Sequence, residues 1–224
     1  MQIKCSIVIP VFNEDRYIYK LVCSIKSQYP LLDVIVVDDG SLNPVQESKI
    51  KEDCVKVIRN DKNKGKGASI IKGIRCSSAM NNDFSVVMDG DMQHSVEDIS
   101  KFINSDFSYD MVLGYRSLKK PMPMHRIASN KITSFIISYL AKYKILDSQC
   151  GFRRYKNSLF EEDLFLEKGY QFESEVLLKL LKDNSIKQVP VKTIYNDSKS
   201  HVNKVFDTLK FARLIIRHII YVLL

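Results

Sequence analysis

The feature that most constrains this chain is a short run of strand-forming residues, 84–88, that ends directly in two acids. Apolar side chains occupy both faces of this run, which is typical of a strand in a sheet that helices cover on both sides. Asp89 and Asp91 follow, separated only by Gly90. Open α/β sheets bind their ligands beyond the carboxyl ends of such strands. The run therefore predicts a buried strand with two carboxylates at the ligand-binding edge of an α/β sheet.

Strands of this kind alternate with amphipathic helices along the chain. The run at 34–37 also ends in acids, Asp38 and Asp39. Strand–helix–strand alternation at this spacing predicts a largely parallel, right-handed α/β sheet. The predicted strands cover 3–11, 34–37, 55–59, 84–88, 111–114 and 186–194; one predicted helix begins at Glu14 and the others cover 44–51, 69–79, 98–104, 128–143, 171–181 and 205–224.

Acids at the ends of two neighbouring strands predict a site for a nucleotide and a metal ion. Asp89 and Asp91 can face one hard divalent cation, and Gln93 adds a neutral oxygen nearby. Such a set holds Mg²⁺ or Mn²⁺ through a few protein ligands and leaves the remaining positions to phosphate oxygens. The predicted metal ligands are therefore Asp89, Asp91 and Gln93. The alternative is a simple turn at the strand end, because Asp-Gly is common in turns.

Composition and charge limit the partners and the compartment. The 224 residues suffice for one well-buried domain, and a net charge of +8 favours anionic partners such as nucleotides or acidic lipid surfaces. We expect no nucleic-acid partner, because the basic residues are spread out and no recognition motif accompanies them. Five scattered cysteines argue against a disulfide framework. Without a signal-peptide pattern or an uncharged apolar run of about 20 residues, the chain is predicted to work at the cytoplasmic face of a membrane.

Two predicted helices carry wide apolar surfaces. In the last one, Lys210 and Arg213 lie among apolar residues, so that their charged ends can stay in the headgroup layer while the apolar side enters it. This pattern predicts peripheral membrane contact through 203–224, with a membrane partner subunit as the alternative. The helix at 128–143 is predicted to be a core helix or, alternatively, a helix lying against lipid.

Several motifs together match a known family. Residues 8–14 (V-I-P-V-F-N-E), 36–41 (V-V-D-D-G-S), 63–67 (N-K-G-K-G) and 88–94 (M-D-G-D-M-Q-H) resemble the inverting GT-A glycosyltransferases of family 2. Further matches at 114–116, 147–153, 172–175 and 189–191 resemble the dolichyl- and polyprenyl-phosphate sugar transferase branch. Residues 200–202 and 207–211 resemble the tail segment of its bacterial members.

The resemblance implies a fold, a domain division and a reaction. The fold would be α/β, of the GT-A (Rossmann-like) type, with a mostly parallel sheet flanked by helices. A catalytic domain would cover 1–202, and a C-terminal amphipathic helix that contacts a membrane or a partner would cover 203–224. The enzyme would move a hexose from a nucleotide-diphosphate sugar, of the GDP-mannose or UDP-glucose type, to polyprenyl or dolichyl phosphate, with Mg²⁺ or Mn²⁺.

Two other functions are open at this point. The first alternative is a family-2 glycosyltransferase whose acceptor is a hydroxyl of a glycan or protein. The second is a non-catalytic membrane partner that binds nucleotide sugars. A hydroxyl acceptor needs a general base, for which Asp147 is the candidate, whereas a lipid phosphate is already ionised. The alternative role of Asp147 is structural, either capping the loop or pairing with Arg153. The Q-x-x-R-W signature of many hydroxyl-modifying members of the family is absent.

The resemblance also implies roles for individual residues. Asp91, Arg116 and Asp147 are the catalytic candidates, and Arg126 and Arg153 would flank the acceptor. One of Lys199, His201 and Lys204 would contact the donor phosphates. The full set predicted to bind the donor or the metal is Pro10, Phe12, Glu14, Val37, Asp39, Lys66, Asp89, Gly90, Asp91, Gln93, Arg116, Lys199 and His201.

Overall fold

A computed structural model describes residues 4–13, 15–50, 52–117, 122–194 and 204–223. Within these ranges the chain forms one seven-stranded sheet and six α-helices. The strands are β1 (Cys5–Val11), β2 (Asp33–Asp38), β3 (Val55–Arg59), β4 (Phe84–Val87), β5 (Met111–Arg116), β6 (Arg153–Lys156) and β7 (Ile186–Val191). The helices are α1 (Asp15–Gln28), α2 (Lys66–Ala79), α3 (Ile99–Ile103), α4 (Met124–Ala141), α5 (Phe172–Leu180) and α6 (Lys204–Leu223).

The sheet is mostly parallel, as predicted. Its order is β3-β2-β1-β4-β6-β5-β7, and only β6 runs antiparallel to its neighbours β4 and β5. β1 pairs with β2 on one side and with β4 on the other. The prediction that the two acid-tipped strands are neighbours is therefore wrong, because β1 separates them. Their acids lie at the same sheet edge, on either side of the end of β1.

Helices cover both faces of the sheet, which explains why the central strands lack a polar face. On one face, Ile7 and Ile9 of β1 pack with α1 and α3. On the other face, Val8 packs with residues of α2 and α5. Successive side chains of β1 point to opposite faces of the sheet, so the strand contributes to a hydrophobic core on each face. α5 is buried over nearly its whole surface, because the sheet lies beneath it and α4 contacts it.

Element boundaries differ from the predictions where distant parts of the chain decide them. α2 begins at Lys66 rather than at residue 69, because the carbonyl of Lys168 accepts the amides of Gly67 and Ala68 at 2.7 and 3.3 Å. The first amides of a helix have no partner inside the helix, so an acceptor from another segment extends it. α4 likewise begins at Met124, directly after Pro123, rather than at residue 128.

None of the helices in the described ranges is both long enough and apolar enough to cross a bilayer.

Candidate functional site

A tight turn after β4 presents Asp89 and Asp91 at the carboxyl edge of the sheet. Gly90 packs closely on β1, since a Cβ there would lie 3.2 Å from Cγ2 of Val11. The amide of Gln93 donates to Oδ1 of Asp91 at 3.0 Å and closes the turn. Burial and the nearby charge of Asp89 raise the pKa of Asp91 above its usual range. The two carboxylates are therefore close enough to repel each other.

Lys66 and Glu173 complete this acidic corner, which we define as Asp89, Asp91, Lys66 and Glu173. Nζ of Lys66 lies 2.6 Å from Oδ1 of Asp89 and 2.7 Å from Oε1 of Glu173. Burial alone would lower the pKa of Lys66, but the charges of Asp89 and Glu173 outweigh it and hold this pKa above its usual range. The sequence predicted Lys66 as a donor-binding residue but gave Glu173 no role, although Glu173 lies in the 172–175 motif.

The acidic corner is enclosed by groups to which the sequence gave no role. His94 is buried, with Nε2 3.6 Å from Oδ2 of Asp89, and its ring lies 4.9 Å from that of Phe152. Gly151 passes directly over the ion pair: a Cβ there would lie 2.9 Å from Oδ2 of Asp89 and 2.9 Å from Nζ of Lys66. Only a glycine leaves this ion pair undisturbed.

Arg116, at the end of β5, forms a bidentate ion pair with Asp147. Its Nε and Nη2 donate to Oδ2 and Oδ1 of Asp147 at 2.7 and 3.0 Å, and Asn130 donates to Oδ1 at 2.6 Å. Burial alone would raise the pKa of Asp147, but the bonds from Arg116 outweigh it and hold this pKa below its usual range. The ion-pair partner of Asp147 is therefore Arg116 and not Arg153, so the alternative pairing predicted from the sequence is wrong. The bonding also opposes the base role that the sequence left open for Asp147.

Arg153 supports the loop above the acidic corner from inside the protein. It is 1% exposed, and it donates to the carbonyls of Ser148, Cys150 and Glu173 at 2.7, 2.7 and 2.9 Å. These bonds tie the loop before β6 to the start of α5. The buried side chain of Arg153 thus acts inside the loop, and its position beside the acceptor stays a prediction. Arg126, at the start of α4, is exposed.

The acids after β2 serve the fold. Asp38 is fully buried, pairs with Arg59, and accepts the amides of Ser41 and Val45 at 2.9 and 3.2 Å. These bonds and the Arg59 pair outweigh the effect of burial and hold the pKa of Asp38 below its usual range. Asp38 therefore fixes the loop that follows its own strand.

Asp39 binds the Gly/Lys loop at 63–68. It is 3% exposed, and its carboxylate accepts the amides of Lys64 and Gly65 at 2.9 and 2.8 Å and Nδ2 of Asn60 at 2.8 Å. The next amides, of Gly67 and Ala68, are bound by the Lys168 carbonyl. The contact of Asp39 with a nucleotide stays a prediction, beside this observed role in holding the loop.

The other predicted donor contacts divide into three groups. Pro10 and Phe12 are half-buried at the end of β1, beside the acidic corner's sheet edge. Val37 is fully buried among residues of α2, and its contact with a nucleotide stays a prediction. Glu14, Lys199, His201 and the side chain of Lys204 lie outside the described residues.

Within the described part of the chain, no group of three or more His, Cys, Asp or Glu residues is arranged to hold a metal ion by itself. The predicted ligands Asp89, Asp91 and Gln93 therefore suit only an ion that takes further ligands from another molecule. Which of the predicted site residues bind metal or donor stays a prediction.

Comparison with known proteins places the chain in a family. The model of the family described as "Glycosyl transferase family 2" matches residues 6–167. An uncharacterized protein of Methanocaldococcus jannaschii is 33% identical, over 95% of this chain and 97% of the relative. A UDP-N-acetylglucosamine–dolichyl-phosphate N-acetylglucosaminyltransferase of Methanococcus voltae is 30% identical, over 85% of this chain and 86% of the relative.

A solved structure shows the same fold. Glucosyl-3-phosphoglycerate synthase from Mycobacterium tuberculosis, crystallised with Mn²⁺, UDP and phosphoglyceric acid, superimposes with a TM-score of 0.71 at 17% identity. The superposition covers 97% of this chain and 78% of that one. The predicted GT-A architecture is thereby confirmed. The family match and the relatives together show that this chain belongs to glycosyl transferase family 2 and is a glycosyltransferase.

Proposed function

We propose that this enzyme transfers a sugar from a nucleotide-diphosphate sugar to a polyprenyl or dolichyl phosphate, with inversion at the anomeric carbon. The observation that carries the choice of acceptor is the Arg116–Asp147 ion pair. Asp147 was the candidate base for a hydroxyl acceptor, yet Arg116 and Asn130 occupy its oxygens. A lipid phosphate is ionised at neutral pH and needs no such base. The name of the Methanococcus voltae relative, a dolichyl-phosphate transferase, supports the same acceptor class.

The outer surfaces of α4 and α6 support contact with a lipid bilayer. On α4, Phe135 and Tyr139 are 73% and 77% exposed, whereas Ile137 on the inner face is buried. On α6, Leu209 and Ile220 are 63% and 53% exposed. An amphipathic helix with an apolar outer face gains free energy by entering the headgroup region. We propose that these faces contact the membrane surface. The alternative is that they contact a membrane partner subunit.

The C-terminal helix packs on the catalytic domain. Leu214 is 3% exposed, and Nη2 of Arg217 lies 3.1 Å from carboxylate oxygens of both Glu167 and Glu175. We propose the division into a catalytic domain at 1–202 and an associating helix at 203–224 on this basis, with α6 as a surface helix that the domain holds in place.

A divalent cation fits the acidic corner chemically. The corner holds three carboxylates and one ammonium group, so its carboxylates outnumber its lysine. Burial and the charge of Asp89 raise the pKa of Asp91, and a bound cation would oppose both effects. Mg²⁺ and Mn²⁺ commonly bind through one or two carboxylates together with substrate phosphates. Asp89, Asp91 and Gln93 would hold the ion, which supplies charge neutralisation to the departing diphosphate when bound.

Arg116 is the main cation of the chain that we assign to phosphate. The ion pair with Asp147 fixes the orientation of its guanidinium, so little conformational entropy is lost when it binds an anion. Charge-assisted hydrogen bonds from a fixed donor stabilise charge that develops in the transition state. Lys199, His201 and Lys204 stay candidates for a second cation at the diphosphate.

Transfer to lipid can be measured directly. Purified enzyme would be incubated with Mn²⁺, vesicles containing polyprenyl phosphate, and each of a panel of radiolabelled nucleotide sugars, including GDP-mannose, UDP-glucose and UDP-N-acetylglucosamine. Label that enters the lipid extract and is released by mild acid supports the proposal. Label on a glycan or protein would instead establish a hydroxyl acceptor. Binding of donor without any transfer would favour a non-catalytic partner and contradict the proposal.

A further inference from the structure

Lys66 pairs with Asp89, one of the predicted metal ligands, so a metal ion and Lys66 would compete for the same carboxylate. Its Nζ lies 2.6 Å from Oδ1 of Asp89, and Glu173 holds it from the other side at 2.7 Å. The side chain of Lys66 is only 17% exposed. Distances this short mark charge-assisted hydrogen bonds, which are about twice as strong as neutral ones. Asp89 therefore already has a cationic partner that belongs to the chain.

The position of Lys66 is built into the fold. It is the first residue of α2, and a Cβ on Gly67 would lie 2.6 Å from Cβ of Phe172, so the starts of α2 and α5 touch. The amide of Gly67 also donates to the Lys168 carbonyl at 2.7 Å. This contact between two helix termini brings Lys66 and Glu173 together. The ammonium group is thus fixed by rigid elements, unlike that of a surface lysine.

We propose that Lys66, held between Asp89 and Glu173, is a resident cation that neutralises Asp89 before the donor binds, so that a divalent ion binds at Asp89, Asp91 and Gln93 only together with the diphosphate of the donor. This inference rests on the proposed function, because it assumes a metal and a nucleotide diphosphate at this corner. It goes further in assigning Lys66 to the control of metal binding and in making the metal and the nucleotide bind as one unit.

The physical reason is charge balance. With Lys66 in place, an ion arriving alone meets the carboxylate of Asp91, a neutral amide from Gln93 and an ammonium group that repels it. Mg²⁺ and Mn²⁺ need about six ligands, so these protein groups leave most positions to water or substrate. A diphosphate supplies anionic oxygens to the ion and outweighs the repulsion from Lys66. Each ligand then raises the affinity for the other by the same factor.

The test measures Mn²⁺ affinity by the EPR signal of the free ion, with and without UDP or GDP as the probe nucleotide. Wild-type enzyme should bind Mn²⁺ weakly alone and much more tightly with a nucleotide. In Lys66→Met, removal of a unit positive charge close to the site should tighten nucleotide-free Mn²⁺ binding by about tenfold or more. Lys66→Arg, the matched control, keeps the charge and should stay near wild type.

A double-mutant cycle identifies the source of the change. If Lys66 acts by neutralising Asp89, adding Asp89→Asn to Lys66→Met should remove most of the gained nucleotide-free affinity. Circular dichroism and thermal unfolding would verify that each variant folds. Lys66→Gln, which keeps a hydrogen-bond donor for Glu173, replaces the Met variant if that one is unstable.

Two results would overturn the inference in different ways. Nucleotide-free Mn²⁺ affinity that is unchanged or weaker in folded Lys66→Met and Lys66→Gln would show that Lys66 does not restrain metal binding, while leaving the proposed function intact. Wild-type enzyme that binds Mn²⁺ equally well with and without nucleotide, and transfers no sugar to lipid, would contradict the proposed function itself.

Discussion

The strands β2 and β4 each end in a pair of acids, on opposite sides of β1, and the two pairs have different partners. The acids after β2 accept backbone amides: Asp38 binds the loop at 41–45, and Asp39 binds the loop at 64–65. In the pair after β4, Asp89 faces Lys66 and His94, and the pKa of Asp91 is raised by burial and by the charge of Asp89.

The difference teaches how to separate a structural acid from a functional one. A carboxylate that receives backbone amides and an arginine is stabilised as an anion, so its charge favours the folded state. A carboxylate whose pKa is raised on balance by burial and a neighbouring carboxylate is destabilised as an anion, so its charge costs folding free energy and suits a cationic ligand. Asp38 belongs to the first class and Asp91 to the second.

The largest expected effect is on activity at the end of β4. Asp91→Asn should lower the rate of sugar transfer by about 10³-fold, because loss of one group that stabilises developing charge costs that order of magnitude. Its fold should be at least as stable as wild type, because a repelled charge is removed. Transfer to lipid and urea unfolding measure the two quantities. Asp91→Asn with near wild-type turnover would contradict the assignment of β4 as the functional end.

The next effect is on stability at the end of β2. Asp38→Asn removes the carboxylate partner of Arg59 and places an NH₂ group where amides of the loop need an acceptor, so we expect a loss of about 1–3 kcal/mol of unfolding free energy. Urea denaturation measures it. Activity per folded molecule should stay within about threefold of wild type, since a fold-supporting acid acts through the population of folded enzyme. A large loss of turnover in folded Asp38→Asn would break the comparison.

Two glycines sharpen the contrast. An alanine Cβ at Gly151 would meet the ends of two side chains, Asp89 and Lys66, which yield more easily than backbone atoms do. Gly151→Ala should therefore cost little stability but about tenfold in turnover, as a misplaced site group does. An alanine Cβ at Gly40, where φ is +77°, would lie 2.6 Å from the backbone of Lys62. Gly40→Ala should mainly lower the midpoint of thermal unfolding. If the two variants lost turnover and thermal stability to the same extent, the distinction between a functional and a structural strand end would be contradicted.

The sequence predicted the sheet, the mostly parallel direction of its strands and the acids at its edge, because apolar strands and the residues that follow them are local signals. The pattern at 86–91 and the pattern at 36–39 look alike in sequence, so the structural role of Asp38 and Asp39 could not be predicted. The partners of Asp38 and Asp39 are largely backbone amides, which every residue carries. Only the folded path of the loops decides which amides arrive there.

The partner of Asp147 shows a second limit. Arg153 is near it in sequence, but Arg153 lies on β6, where successive side chains point to opposite faces. Arg153 therefore turns inward to loop carbonyls, and Arg154 turns to the carbonyls of Phe102 and Ser105 on the other side. Arg116 reaches Asp147 instead, from the end of β5. Glu173 was missed for a related reason, since it meets Lys66 only through the contact between two helix termini.

The smallest effect separates the two strand ends by the sign of their pH dependence. The folded-state pKa of Asp38 is lowered, so its contribution to stability is present above the unfolded pKa of about 3.9 and is lost as the pH falls through the folded value. The folded-state pKa of Asp91 is raised, so its ionisation removes stability as the pH rises above about 3.9.

In urea unfolding between about pH 3 and 6 with a chelator present, stability should depend on pH less steeply in Asp38→Asn than in wild type, and more steeply in Asp91→Asn. Each change should stay below about 1.4 kcal/mol per pH unit, the limit for one proton. If both variants changed the pH dependence of stability in the same direction, Asp38 and Asp91 would affect folding with the same sign, and the comparison of the two strand ends would be wrong.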